Sequence, residues 1–233
     1  MTKKIAVMQP YVFPYLGYWQ LMKSVDTFVI FNDVNFIKKG WIHRNNMLVS
    51  GQKKLFTIPL HKASQNKKIN EIDISTTENW REKLLRSIFL AYKKAPSFSE
   101  VYTLLEEIIN HPENNLSLYL ENQLRKVNAY LGITTEILNS DSFENAELKA
   151  QERIIDICKQ ASADHYVNPI GGQELYDREA FEKEGLTLSF IQTKPWEYTQ
   201  FKNDFVPWLS MIDILMFNTK EEIQHALDQY ELI

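Results

Sequence analysis

Apolar residues 5–8 run unbroken and stop at Gln9 and Pro10, a pattern that predicts a short buried strand ending in a turn. A helix over residues 16–25 and a β-branched, aromatic strand over residues 27–31 come next, so the chain opens as strand, loop, helix, strand. Residues 55–60 and 69–74 read as further strands suited to a hairpin or a sheet edge, with Ile72 and Ile74 alternating with Glu71 and Asp73.

The middle of the chain changes period. Trp80, Leu84, Ile88 and Tyr92 recur every four residues, flanked by Leu85 and Phe89, and draw one wide apolar stripe along a helix. Pro96 separates it from a second helix marked by Phe98, Val101, Tyr102, Leu105 and Ile109. Leu116, Leu120, Leu124, Val127 and Leu131 mark a third, closed by Gly132. Alternation then returns, with strands expected over 134–138, 165–167 and 186–191 and a helix over 148–160. Thr219 with Glu222 three residues on is a capping box that opens a last helix through Tyr230. The pattern predicts an α/β protein with a largely parallel sheet: residues 1–77 and 132–233 form the core and residues 78–131 a helical insertion.

Composition narrows the class. With 233 residues, 44% hydrophobic and 24% charged, the chain suits one large soluble domain or two small ones, and its 13 Phe, 11 Tyr and 5 Trp can fill a core. Seven Gly and eight Pro exclude a low-complexity or collagen-like chain. A single cysteine, Cys158, excludes an intrachain disulfide framework and a cysteine-built zinc site. Its neighbours Ile154 and Ile155 make it a core residue rather than a nucleophile. No signal-peptide core and no membrane-spanning apolar run is present, so a cytoplasmic location without a membrane span is expected.

The net charge of −4 argues against general nucleic-acid binding, but its distribution is uneven. Residues 34–70 hold eight Lys and Arg and no acid, whereas the remainder holds 18 basic and 30 acidic residues. Such asymmetry points to an anionic ligand near this stretch, although Lys53, Lys54, Lys67 and Lys68 read as a solvated loop.

Four segments carry candidate chemistry. Residues 9–20 lie between the first strand and first helix, where open α/β sheets bind ligands. There Gln9, Tyr11, Tyr15, Gly17, Tyr18 and Gln20 are candidate ligand contacts, with Gly17 allowing a phosphate or adenine ring close to the helix. The aromatics would serve equally as core; Gln9 and Gln20 favour a site. Residues 32–45 hold the richest polar cluster: Arg44, Lys38 and Lys39 for phosphate, Trp41 for stacking, Asn45 for hydrogen bonding, and Asp33 or His43 as a base. Asp33 as a turn residue and His43 as a structural hydrogen-bonder are the competing roles. The third segment, residues 165–172, ends in Asn168, Gly171 and Gly172 before a helix carrying Tyr176 and Asp177, and its glycines suit close backbone approach. Tyr198, Gln200, Phe205, Pro207, Ser210 and Asp213 form the fourth, a candidate binding group in which Ser210 or Asp213 is expected to line the same cleft, while a buried structural role suits Asp213 equally well. No phosphate loop, dinucleotide fingerprint, zinc helix or nucleophile elbow occurs, and no metal is expected.

Pro14-x-x-Gly17-Tyr18 resembles the P-x-x-x-G-H or H-x-G-H signature of nucleotidyltransferases and adenylating ligases, which implies a nucleotidyltransferase-like (Rossmannoid) sheet; Tyr18 stands where that superfamily carries its second histidine, and neither motif histidine is present. At greater length, MQPYVFPYLGYWQLM, DTFVIFNDVNFIKKGWIHRN, the W-x-x-K-L-x-x-S-I helix from Trp80, YVNPIGG and LSMIDILMFN together resemble the WbqC-like family. That resemblance implies bacterial surface-polysaccharide biosynthesis (O-antigen) and transfer of an amino acid, glycine, to the amino group of a nucleotide-linked deoxyamino sugar. An adenylating fold would activate the glycine with ATP, while a carrier-bound donor would need none. Alternatives are plain nucleotidyl transfer and non-catalytic nucleotide-sugar binding.

Overall fold

The structure is a computed structural model that describes residues 2–77, 79–202 and 204–233. Met1 and Glu78, the first residues of the two expected units, lie outside the described residues, as does Asn203. The chain begins with β1 (Lys4–Met8), α1 (Leu16–Lys23) and β2 (Thr27–Ile30), followed by the short strands β3 (Arg44–Val49), β4 (Gln52–Thr57), β5 (Leu60–His61) and β6 (Asp73–Ile74). Three helices come next, α2 (Trp80–Tyr92), α3 (Phe98–Ile109) and α4 (Leu116–Leu131). The alternating part is β7 (Glu136–Asn139), α5 (Ala150–Gln160), β8 (His165–Pro169), α6 (Arg178–Lys183) and β9 (Thr187–Thr193). It closes with α7 (Met211–Phe217), α8 (Lys220–Leu227) and β10 (Tyr230–Leu232).

Among the described residues the main sheet runs β10-β9-β8-β1-β2-β7. All its neighbours are parallel except β10, which returns antiparallel along β9. The alternation of side chains splits the sheet between two cores. Ile5, Val7, Val29, Tyr166, Leu188 and Phe190 pack with Ile154, Ile157 and Cys158 of α5 and Phe181 of α6. Ala6, Phe28, Ile30, Val167 and Ile191 face the opposite way, into one continuous core with α1 to α4, α7 and α8.

The three middle helices begin and end where their sequence pattern does, because each carries a 3.6-residue stripe, although Phe89, placed in the stripe of α2, is exposed. The Asn115 side chain accepts the Leu118 N–H at the start of α4, and Gly132 ends it at φ 67°. Elsewhere the structure corrects the reading. Residues 69–74 begin as a 3-10 turn, and only β6 forms a strand, pairing antiparallel with β5. The longer hairpin is β3–β4, whose two-residue turn, Ser50-Gly51, holds both residues at positive φ (51° and 76°). Asp177 caps α6 through its side chain rather than lying in the helix with Tyr176. Thr219 and Glu222 form the expected capping box, but α8 stops at Leu227 and the chain turns into β10. No helix among the described residues is long and apolar enough to cross a membrane.

Candidate functional site

Numbered by appearance, the five parallel strands lie in the order 3-2-1-4-5, that of doubly wound sheets, and connections diverge to either side between β1 and β8. A cleft of about 750 Å³ opens at the carboxyl ends of β1, β8 and β9, within the size range of small-ligand sites. Of the expected contacts, Tyr11, Tyr15, Gly17, Tyr18, Trp41, Asn45 and Gly171 line it.

The loop after β1 is held rigidly. Asn45 Nδ2 donates to the carbonyls of Val12 (3.0 Å) and Phe13 (2.9 Å), and Gln123 Oε1 accepts from Phe13 N–H (3.0 Å). Tyr18 donates to the Gln9 carbonyl (3.0 Å) and packs beside Tyr11 at 5.7 Å between ring centroids, so Gln9 serves the wall through its backbone. Burial raises the phenols of Tyr11 and Tyr18, which therefore present neutral hydroxyls at physiological pH. A β-carbon on Gly17 would lie 2.6 Å from the Tyr15 hydroxyl and 2.8 Å from Thr193 Oγ1. The glycine makes room for the Tyr15 phenol. Gly171 meets open space, whereas a β-carbon on Gly172 would strike Asn168 Nδ2 at 1.9 Å. Asn168 is buried and accepts from Tyr166 (3.2 Å), so Asn168 and Gly172 shape the loop behind the cleft.

The other expected residues fall into different environments. Lys38, Lys39, His43 and Arg44 line a separate depression of about 260 Å³. Arg44 spends its guanidinium on the Gly40 carbonyl (3.1 Å) and the Lys39 carbonyl, so it braces its own loop. Burial and then the Arg44 charge lower the His43 pKa, and its ring tilts on Phe36 at 5.3 Å. Asp33 does not line the cleft: Arg153 Nη2 reaches its Oδ2 at 2.5 Å and the Ser140 hydroxyl donates to Oδ1. Burial alone would raise this carboxyl, but hydrogen bonds from Arg153 and Ser140, with the charges of Arg153 and Lys68, hold it below its usual value. A saturated, acidified carboxylate is poorly suited to take a proton. Gln20 is also spent on structure, its Nε2 donating to the carbonyls of Ala226 (2.8 Å) and Gln229 (3.0 Å). Ser210 is fully buried and gives its N–H to the Asn46 carbonyl at 2.9 Å.

Tyr198 lines a smaller pocket of about 230 Å³, separated from the cleft by Tyr15, Thr193 and Trp208, which line both. Asn46, Gln192, Thr193 and Trp208 also line the cleft but escaped the sequence reading, and Lys53, expected there in a solvated loop, lines it as well. A structureless stretch after a strand's carboxyl end was the available signal for Trp208. Cys158 is buried, which pushes its thiol up to about 12, and no group of three or more His, Cys, Asp or Glu among the described residues suits a metal.

No solved structure matches the chain. The uncharacterized protein Rv1507c of Mycobacterium tuberculosis (strain ATCC 25618 / H37Rv) is 31% identical over 223 residues, covering 94% of this chain and 95% of that protein. The model of the WbqC-like protein family matches residues 9–225. With its opening motifs forming the wall of the cleft, the chain belongs to the WbqC-like family.

Proposed function

We propose that the chain is a transferase or ligase that joins an amino acid, glycine in the simplest case, to the amino group of a nucleotide-linked deoxyamino sugar. The observation that carries this is the cleft at the switch point, where aromatic walls meet amides and one cation. Tyr11 and Trp41 offer ring faces to a base or sugar, Asn46 and Gln192 offer amide groups, and Lys53 is the charge available to a diphosphate. Lys38, Lys39 and Arg44 belong to the neighbouring depression and are not needed for this role.

The chemistry requires an activated acyl group. If ATP activates glycine, its carboxylate displaces pyrophosphate to form an acyl adenylate. The sugar amine then attacks the carbonyl, the C–N bond forms, and AMP leaves. The amine's surplus proton passes to water or to the departing phosphate. With a carrier-bound donor the carrier is the leaving group and ATP is unnecessary. Neither route requires Asp33 or His43 in the cleft.

One observation favours a second reading, that of a non-catalytic nucleotide-sugar binding protein: no carboxylate or imidazole lines the cleft among the described residues. Mass spectrometry of the protein incubated with glycine, ATP and a uridine or thymidine diphosphate amino sugar, and separately with a carrier-bound glycyl donor, separates the two. A product heavier by one glycyl residue supports the transferase; nucleotide-sugar binding with neither donor consumed favours the binding protein. Pyrophosphate release without amide would mark plain nucleotidyl transfer.

A further inference from the structure

The smaller pocket beside the cleft is built from rings. Trp196 and Tyr198 lie 4.9 Å apart at 39°, Phe205 meets Tyr198 edge-on at 5.1 Å, and Tyr15 meets Trp208 at 5.4 Å and 65°. All five line a space of about 230 Å³, enough room for a small group. Ring faces carry partial negative charge, so such a box attracts a cation more than a neutral group of the same shape.

The charge around it has the matching sign. Tyr198 donates its hydroxyl proton to Asp213 Oδ2 at 2.7 Å, and a phenol bonded to an anion has a more electron-rich ring. Gln200 Nε2 donates to the same oxygen (2.8 Å) and Tyr92 to Oδ1 (2.8 Å). Tyr92 itself accepts the Leu48 N–H at 2.7 Å, which directs its own proton to Asp213. Asp213 is fully buried, its donors are neutral, and no cation pairs with it among the described residues. Burial of such a carboxylate without a counter-charge is costly, and a cation in the adjoining pocket would offset part of that cost. At the rim, Glu197 is exposed, whereas the rim cation Lys194 is paired with Glu231 at 3.0 Å.

We infer that this aromatic pocket is a subsite for an organic ammonium group, reached from the main cleft past Tyr15 and Trp208. It deepens the proposed function by assigning the place where the donor amino acid's own ammonium group, which takes no part in bond formation, is received while the attacking sugar amine stays neutral. The inference rests on that reading only for the identity of the substrate; the cation preference follows from the pocket itself.

The test uses choline as probe and 3,3-dimethylbutan-1-ol as its uncharged isostere, at matched ionic strength on the full chain, with saturation-transfer and chemical-shift titrations by NMR. Choline is expected to bind about ten-fold or more tightly than the alcohol, with its methyl signals shifted upfield by the rings. Trp208→Leu and Trp196→Leu, each replacing a wall of the pocket, are expected to weaken choline at least several-fold, and Trp41→Ala in the main cleft to leave it unchanged. Equal binding of choline and the alcohol, no binding of choline, or equal loss in Trp41→Ala and Trp208→Leu would overturn the subsite. Those outcomes are independent of amide formation, so failure of the subsite and failure of the proposed reaction are distinguished.

Discussion

Two groups of strand ends in this sheet have opposite character. At the ends of β2 and β7, Asn32, Asp33, Ser140, Asp141 and Arg153 bond to one another: the Asn32 backbone N–H donates to Ser140 Oγ at 3.1 Å, Asn32 Nδ2 donates to Asp141 Oδ2 at 3.0 Å, and Arg153 holds Asp33 and Asn145. At the ends of β1, β8 and β9 the walls are aromatic rings, amides and glycine backbone around open space. The first region is rich in charge and its key hydrogen bonds are internal. The second has little charge and stays open. Polar density along a sequence therefore marks a site poorly when the charges can satisfy one another in the fold.

The harshest test of this contrast is Asp33→Ala. Leaving Arg153 buried without its partner is expected to cost about 3–5 kcal/mol of stability, read by chemical denaturation, while ligand affinity of the folded fraction stays unchanged. Because the folded-state pKa of Asp33 lies below its usual value, its contribution is fully present above about pH 4 and is lost as the pH falls through the folded-state value. Wild type and Asp33→Asn should therefore converge in stability in strong acid.

A smaller effect separates the two adjacent glycines. Gly172→Ala must displace the buried Asn168 amide and is expected to cost about 1–3 kcal/mol, whereas Gly171→Ala, with nothing within 4 Å, should stay within about 0.5 kcal/mol. Equal thermal stability of the two variants would contradict the placement of this loop.

The smallest effect concerns His43. Its pKa in the fold is lowered, first by burial and then by Arg44, so the fold favours the neutral ring and loses that preference as pH falls below about 6.5. Between pH 7 and 5 wild type should lose slightly more stability than His43→Gln, and identical pH profiles would contradict the assigned environment.

Legibility in the sequence followed the kind of signal each element carries. The three middle helices were readable because amphipathic periodicity is local and strong. By contrast, β3 begins Arg-Asn-Asn and β4 is mostly exposed, so their hairpin lacked an apolar alternation and betrayed itself only by Ser50-Gly51. The uniformly buried α7, apolar except for Asp213, carries no period to distinguish helix from strand. Position after a strand was sufficient to anticipate that Tyr11, Tyr18 and Gly171 line the cleft. The partnership of Asp33 with Arg153, 120 residues away, is a product of the fold and has no trace in either local sequence.

On the proposed function, ligand binds in the cleft between β1 and β8 and not in the neighbouring basic depression. The most direct test of this claim is calorimetric titration of a nucleotide-linked amino sugar into Trp41→Ala and into the double variant Lys38→Ala/Lys39→Ala. Both sites lie on exposed side chains, so folding should be preserved. Loss of a stacking face predicts that Trp41→Ala weakens binding by about 1–3 kcal/mol while the lysine variant binds as wild type does. Unchanged affinity in Trp41→Ala with a large loss in the lysine variant would place the ligand in the basic depression and contradict the claim.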